Sequence, residues 1–168
     1  MSTIVIRNFH PAEAAQVDAL ALDAFDEYAR DFQDWPSLRA HIGNMSTLAN
    51  DGELIVAAEP RGRLVGAVVY VGPNAPKAAF FQAEWAVVRM LVVAQDARGQ
   101  GLGRLLTEAC LARATRDQAH TLALYTSTLM QVALPMYLRM GFLWQAPIAP
   151  VHGVEYAVYT KALHASGS

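Results

Sequence analysis

One cysteine, Cys110, occurs in 168 residues, so no disulfide can form within the chain. Charge is also scarce: Asp, Glu, Lys and Arg make up 17% of the residues against 54% apolar ones, which excludes an intrinsically disordered chain. Neither sign dominates. A formal net charge of −2 argues against a protein that grips nucleic acid through a broad basic face. Long hydrophobic runs are missing too. The mean hydropathy of +0.19 raises the question of a membrane. Yet stretches such as Leu64–Val71 and Met90–Ala94 fall far short of the roughly 20 residues of a spanning helix, so no membrane partner is expected. Met1–Arg7 has no basic region ahead of an apolar stretch, so no signal peptide is expected and a cytoplasmic location is the default. His10, His41, His120, His152 and His164 include no His-x-x-x-His pair, and with a lone cysteine they predict no metal site. The apolar excess must then lie in a core, a ligand pocket or a subunit interface.

The length fits a single domain over residues 1–168, with His164–Ser168 as a loose tail. Thr3–Arg7 reads as a strand, and Pro11 opens a helix whose apolar stripe is Val17, Leu20, Ala21, Ala24, Phe25 and Tyr28. A weaker helix is expected from Pro36 to about Leu48. Strands follow over Glu53–Glu59, Leu64–Val71 and Phe80–Val93, forming an antiparallel meander. Leu102, Leu105, Leu106, Ala109 and Cys110 predict a buried helix face, and Thr121–Thr126 a strand. Gln131–Met140 predicts a helix ended by Gly141, with Pro135 tolerated only in its first turn. Phe142–Gln145 and Val154–Thr160 predict two last strands, interrupted or at an edge because of Pro147 and Pro150.

The stretch Leu91–Arg104 is the most informative. A strand feeds a turn with glycines at 99, 101 and 103, and the turn opens a helix. Glycines let a ligand approach the backbone, and unpaired N–H groups at a helix start favour an anion. Arg98 and Arg104 are expected to add positive charge. The dinucleotide pattern Gly-x-Gly-x-x-Gly fails, because its last position falls on Arg104 or Leu106. The Walker A pattern fails at Arg104 as well.

Arg98-Gly99-Gln100-Gly101-Leu102-Gly103 resembles the Arg/Gln-x-x-Gly-x-Gly/Ala signature of the GNAT superfamily, the acetyl-CoA-dependent N-acetyltransferases. Arg89–Val93 resembles that family's fourth strand, and Ala133-x-x-x-Tyr137-x-x-x-Gly141-Phe142 a later block of it. The resemblance implies an α/β (α+β) fold: a central mixed, mostly antiparallel sheet of about seven strands flanked by about four helices. It implies acetyl-CoA as co-substrate, lying between the fourth and fifth strands on the backbone of Leu91, Val92 and Val93. The pyrophosphate would rest on Arg98, Gly99, Gln100, Gly101, Leu102, Gly103 and Arg104. A backbone N–H near Met90 or Leu91 would polarise the thioester carbonyl.

The family's general-acid position falls on Tyr137, which would protonate the leaving thiolate. Many members carry a glutamate as base at the position of Val87, and Glu84 is the nearest upstream carboxylate; it could act through water, or simply be a solvated strand-end charge. Cys110 reads as a buried small residue, not a nucleophile. Glu27, Tyr28, Phe32 and Tyr125 are candidates for holding a cationic amine of a small molecule or peptide. The alternative is that the aromatics extend the helix stripe and the acids face water. A homodimer is compatible with the family. The expected activity is acetyl transfer to a primary amine by direct attack, without an acyl-enzyme. The competing expectation is a catalytically silent acyl-CoA-binding module of the same fold.

Overall fold

A computed structural model of the chain describes residues 3–163, so the tail expected at His164–Ser168 lies outside the described residues. Its strands are β1 (Val5–Asn8), β2 (Glu53–Ala58), β3 (Leu64–Val71), β4 (Ala86–Val93), β5 (Thr121–Thr126), β6 (Leu143–Pro147) and β7 (Ala157–Ala162). Its α-helices are α1 (Ala14–Phe25), α2 (Trp35–Ile42), α3 (Leu102–Arg116) and α4 (Ala133–Arg139). The strands form one seven-stranded sheet in the order β1-β2-β3-β4-β5-β7-β6. Every pairing is antiparallel except β4 with β5. This is the mixed sheet flanked by α-helices that the family resemblance implies.

Local chemistry explains most of the boundaries. Pro11 opens a short 3-10 turn, Pro11–Glu13, ahead of α1. The Glu13 carboxylate accepts from the His10 backbone N–H at 2.9 Å, and it binds Arg7. Val17, Leu20, Ala21 and Ala24 then bury one stripe of α1. β3 is buried along its whole length, as a strand is when both its faces are covered, and α1 and α3 both pack on β3 and β4. Among the described residues no helix is long and apolar enough to cross a membrane.

Four expectations are corrected. The strand predicted from Phe80 begins only at Ala86. Residues before it close turns, with Phe81 N–H on Ala78 and Trp85 N–H on Gln82. Their aromatics imitate strand composition, but the Phe80 and Phe81 rings pack on Tyr125 instead, at centroid distances of 5.3 and 6.1 Å. The second helix stops at Ile42 and resumes as a 3-10 segment, Met45–Asn50, because Asp18 on α1 holds the N–H and hydroxyl of Ser46 at 2.8 and 2.9 Å. On α3 Leu105 is 43% exposed, since the buried stripe runs through Leu102, Leu106, Cys110 and Ala114. The last strand starts at Ala157, because Val154 bridges back to Val151 across a tight turn. Pro147 sits on β6, which is an edge strand, where a missing N–H is tolerated.

Candidate active site

β4 and β5 pair only at Ala86 with Leu122 and Val87 with Ala123. Beyond Val87 the two strands part. On its other side β4 pairs Arg89 with Val69 and Val92 with Ala67, so Met90 and Leu91 together face Val68. This is a β-bulge, and Met90 takes the left-handed conformation, φ 57°. Met90 and Leu91 therefore have no register partner on either neighbouring strand. A strained backbone, out of register with both neighbouring strands, lies at the apex of the splay.

The glycine loop lies just past that opening. Gly99 and Gly101 have φ of 85° and 76°, and a Cβ at either would meet no atom within 4 Å. These glycines are thus set by backbone conformation and leave clear space in front of the loop. Gly101 caps α3, and none of the amide N–H groups from Arg98 through Arg104 has an acceptor among the described residues. A run of free amides at the start of a helix of four turns is an anion cradle. The flanking arginines contribute differently from expectation. Arg98 is ion-paired with Glu27 and also donates to the Ala24 carbonyl at 3.2 Å, so it ties α1 to the loop. Arg104 pairs with Glu108 at 3.2 Å along α3. Both charges are partly neutralised within the protein. Arg139, which lines the same groove, has no ion pair among the described residues and escaped the sequence analysis.

Tyr137 is fixed by its own helix end. Pro135 falls in the first turn of α4, and Gly141 reverses the chain at φ 97°. The Phe142 N–H donates to the Tyr137 carbonyl at 3.0 Å and the Gly141 N–H to Leu138 at 3.1 Å, a Schellman end. The Phe142 ring then packs edge-on against Tyr137 at 5.6 Å. Tyr137 is buried, and burial raises its phenol well above the ordinary tyrosine range. Its hydroxyl has no hydrogen-bond partner among the described residues, yet it is not sealed off, so it opens into the cavity beside it. Cys110 is fully buried, and burial pushes its thiol up to about 12. It has no nucleophile's environment.

Three spaces run through the splay. A groove of 320 Å³ follows the glycine loop and is walled by Leu91, Val92, Val93, Met136 and Tyr28. An inner cavity of 140 Å³ holds Met90, Tyr125, Thr126, Tyr137, Phe32 and Tyr156. It shares Leu91, Met130 and Ala133 with the groove. An outer cavity of 490 Å³ lies beyond Tyr125 and Val151, which border both. Its walls come from the loop before β4, from Val87 and Arg89, and from Ile148–Val151. The last of these segments is pinned near the α1–α2 connection: the Gln33 N–H donates to the His152 carbonyl at 2.7 Å, and His152 Nδ1 meets the Gln33 carbonyl at 2.9 Å.

The expected acceptor residues thus divide. Phe32 and Tyr125 reach the inner cavity. Tyr28 instead lines the groove of the glycine loop. Glu27 is engaged by Arg98, because the end of α1 lies across the loop, and is not free for an ammonium. Glu84 is exposed in the turn before β4 and borders none of the three spaces. Tyr156 and Arg89 were not singled out from sequence as site residues. Tyr156 lies beyond the misplaced strand start, and Arg89 was read only as part of a strand pattern.

A model of the Acetyltransferase (GNAT) family matches residues 17–142. The chain belongs to the GNAT acetyltransferase family. Its fold is also that of solved members. An acetyltransferase of the GNAT family from Staphylococcus aureus Mu50 superposes with a TM-score of 0.75 at 14% identity, covering 96% of this chain and all of that one. A Corynebacterium glutamicum protein described as histone acetyltransferase HPA2 and related acetyltransferase gives 0.76 at 19% identity, covering 100% of both chains. Among curated proteins, the L-2,4-diaminobutyric acid acetyltransferase of Halomonas elongata is 35% identical over 94 residues. That match takes in 55% of this chain and 45% of the relative, so the chain spans about half the length of the GNAT relative it matches.

Proposed function

We propose that this chain transfers an acetyl group from acetyl-CoA to a primary amine by direct attack, without an acyl-enzyme. The observation that carries the reading is the β4–β5 splay with the Met90 bulge at its apex, open to the glycine loop on one side and to Tyr137 on the other. The residues fit the co-substrate. The free amides of Arg98–Arg104 suit a pyrophosphate. The unpaired edge of β4 over Leu91–Val93 suits the amide-bearing pantetheine arm, which would bind like an added strand. The co-substrate supplies an activated acyl group.

The chain's own residues do the rest. A backbone N–H at Met90 or Leu91 donates to the acyl oxygen as negative charge grows there. Tyr137 donates its proton toward the departing sulfur. Its raised phenol remains protonated at every working pH. The burial that makes the phenol a weaker acid also makes a thiolate beside it a stronger base, so the two remain matched. Among the described residues no carboxylate borders the inner cavity. The acceptor enters as an ammonium, and the apolar walls lower its pKa, so water in the outer cavity can take the proton. Glu84 lines neither the inner nor the outer cavity, so the proton is assigned to water and not to Glu84.

The relative named for L-2,4-diaminobutyric acid supports an amine on a small molecule as the acceptor. Two measurements test the reading: thermal unfolding with acetyl-CoA, and thiol release from acetyl-CoA across a panel of amines. A raised melting temperature together with amine-dependent thiol release is expected. Binding without thiol release for any amine would instead identify a silent acyl-CoA-binding module.

A further inference from the structure

Arginine cannot lose its charge, so one withdrawn from water needs an anion. Most arginines of this chain have one, in pairs such as Arg7–Glu13, Arg98–Glu27 and Arg113–Glu53. Arg30, Arg61, Arg89 and Arg139 make neither an ion pair nor a side-chain hydrogen bond among the described residues. Of these, Arg30, Arg61 and Arg139 are exposed, where water solvates the charge. Arg89 alone is half-buried. It stands in the middle of β4 among valines and lines the 490 Å³ outer cavity with Val87, Phe80, Phe81 and Tyr125. Its guanidinium is not sealed in, and the residue borders that space. The other cation there, Lys77, is committed to the carbonyls of Gly72, Ala75 and Ala83 at 3.2, 2.7 and 2.9 Å. Asp51 borders the same cavity at its exposed rim and does not come within ion-pair distance of Arg89.

We propose that Arg89 is the anion-binding residue of the acceptor site, and that the acceptor is a small amine that also carries a carboxylate. The proposal rests on the acetyl-transfer reading above. A planar guanidinium in a largely apolar cavity of this size suits a carboxylate bound through two parallel N–H donors. The cavity that Arg89 lines shares Tyr125 and Val151 with the inner cavity that holds Met90 and Tyr137, so one small molecule spanning the two would carry both the bound anion and the reacting amine. Polyamines are disfavoured, because a second ammonium would meet a guanidinium.

The test compares matched pairs that differ only by the carboxylate: L-2,4-diaminobutyrate with 1,3-diaminopropane, L-lysine with cadaverine, and L-phenylalanine with phenethylamine. Thiol release is expected to favour the carboxylate in a pair by at least about 10-fold in kcat/KM. In Arg89→Gln that advantage should shrink by about 10- to 100-fold, through KM for the acceptor, with KM for acetyl-CoA unchanged. Arg89→Glu should invert the preference toward the diamine. A wild-type preference for the decarboxylated partners, or an equal loss for both partners in Arg89→Gln, would overturn the proposal. If Arg89→Gln does not fold, Arg89→Lys, which keeps the charge without the fork, should show a partial loss of the same advantage, and no loss would overturn it. If no amine releases thiol, the acetyl-transfer reading fails separately. Arg89 is then judged by thermal shift with these amino acids in the presence of CoA: a shift in the wild type that Arg89→Lys weakens supports it, and no wild-type shift overturns it.

Discussion

The two sides of the β4–β5 splay are made in different ways. The groove side is dominated by one unbroken stretch, Leu91–Arg104, which presents backbone around two left-handed glycines. The outer cavity is assembled from segments far apart in the chain, from Asp51 to Val151, and is lined by their side chains. A backbone device constrains the residues that can form it, because only glycine takes φ near 80° without strain. A side-chain device leaves the backbone unconstrained, so residues lining the outer cavity can be exchanged without reshaping the glycine loop.

The comparison can be broken most sharply on the groove side. Gly101→Val places a β-branched residue at φ 76° in front of the anion cradle. It is expected to lower kcat/KM for acetyl-CoA by about 100-fold and to cost about 1–2 kcal/mol of stability, read by steady-state kinetics and thermal unfolding. An unchanged KM for acetyl-CoA would refute the cradle. Next, Tyr137→Phe should reduce kcat by about 100-fold with little change in KM for acetyl-CoA. With chemistry rate-limiting, an unaltered kcat would remove Tyr137 from the mechanism.

A smaller effect concerns the shared core beneath both sides. Folding raises the Cys110 thiol to about 12, whereas in the unfolded chain it ionises near 9. Above pH 9 the unfolded state therefore binds fewer protons than the folded one, and stability falls as pH rises toward 12. Denaturation of Cys110→Ala should show a shallower alkaline decline, by up to about one proton per molecule in slope. Smallest of all, Glu84→Gln should alter kcat/KM by less than about two-fold, as for a surface substitution. A ten-fold loss would restore Glu84 as a base.

Several elements were legible because local rules decide them. β3 and β5 occupy the residues predicted for them, since their apolar and β-branched runs end at clear turn signals. The Tyr137, Gly141 and Phe142 block is readable because a helix end, a left-handed glycine and a ring contact all fall within one short segment. Phe80–Trp85 misled because aromatics favour strands by composition, while here Phe80 and Phe81 pack on Tyr125 and line the outer cavity. Glu27 misled in a similar way. A carboxylate beside aromatics suggests an ammonium site, but the nearest cation in space is Arg98, distant in sequence.

By itself the sequence determined the order of elements, the glycine loop and the family resemblance, because each depends on residues close together in the chain. Tertiary structure alone decided that β4 bulges at Met90, that Arg98 is already paired, and that Arg89 lines a cavity without a partner among the described residues. Those facts depend on which distant residues come to face one another. An unpaired charge is visible only once every possible partner has been placed.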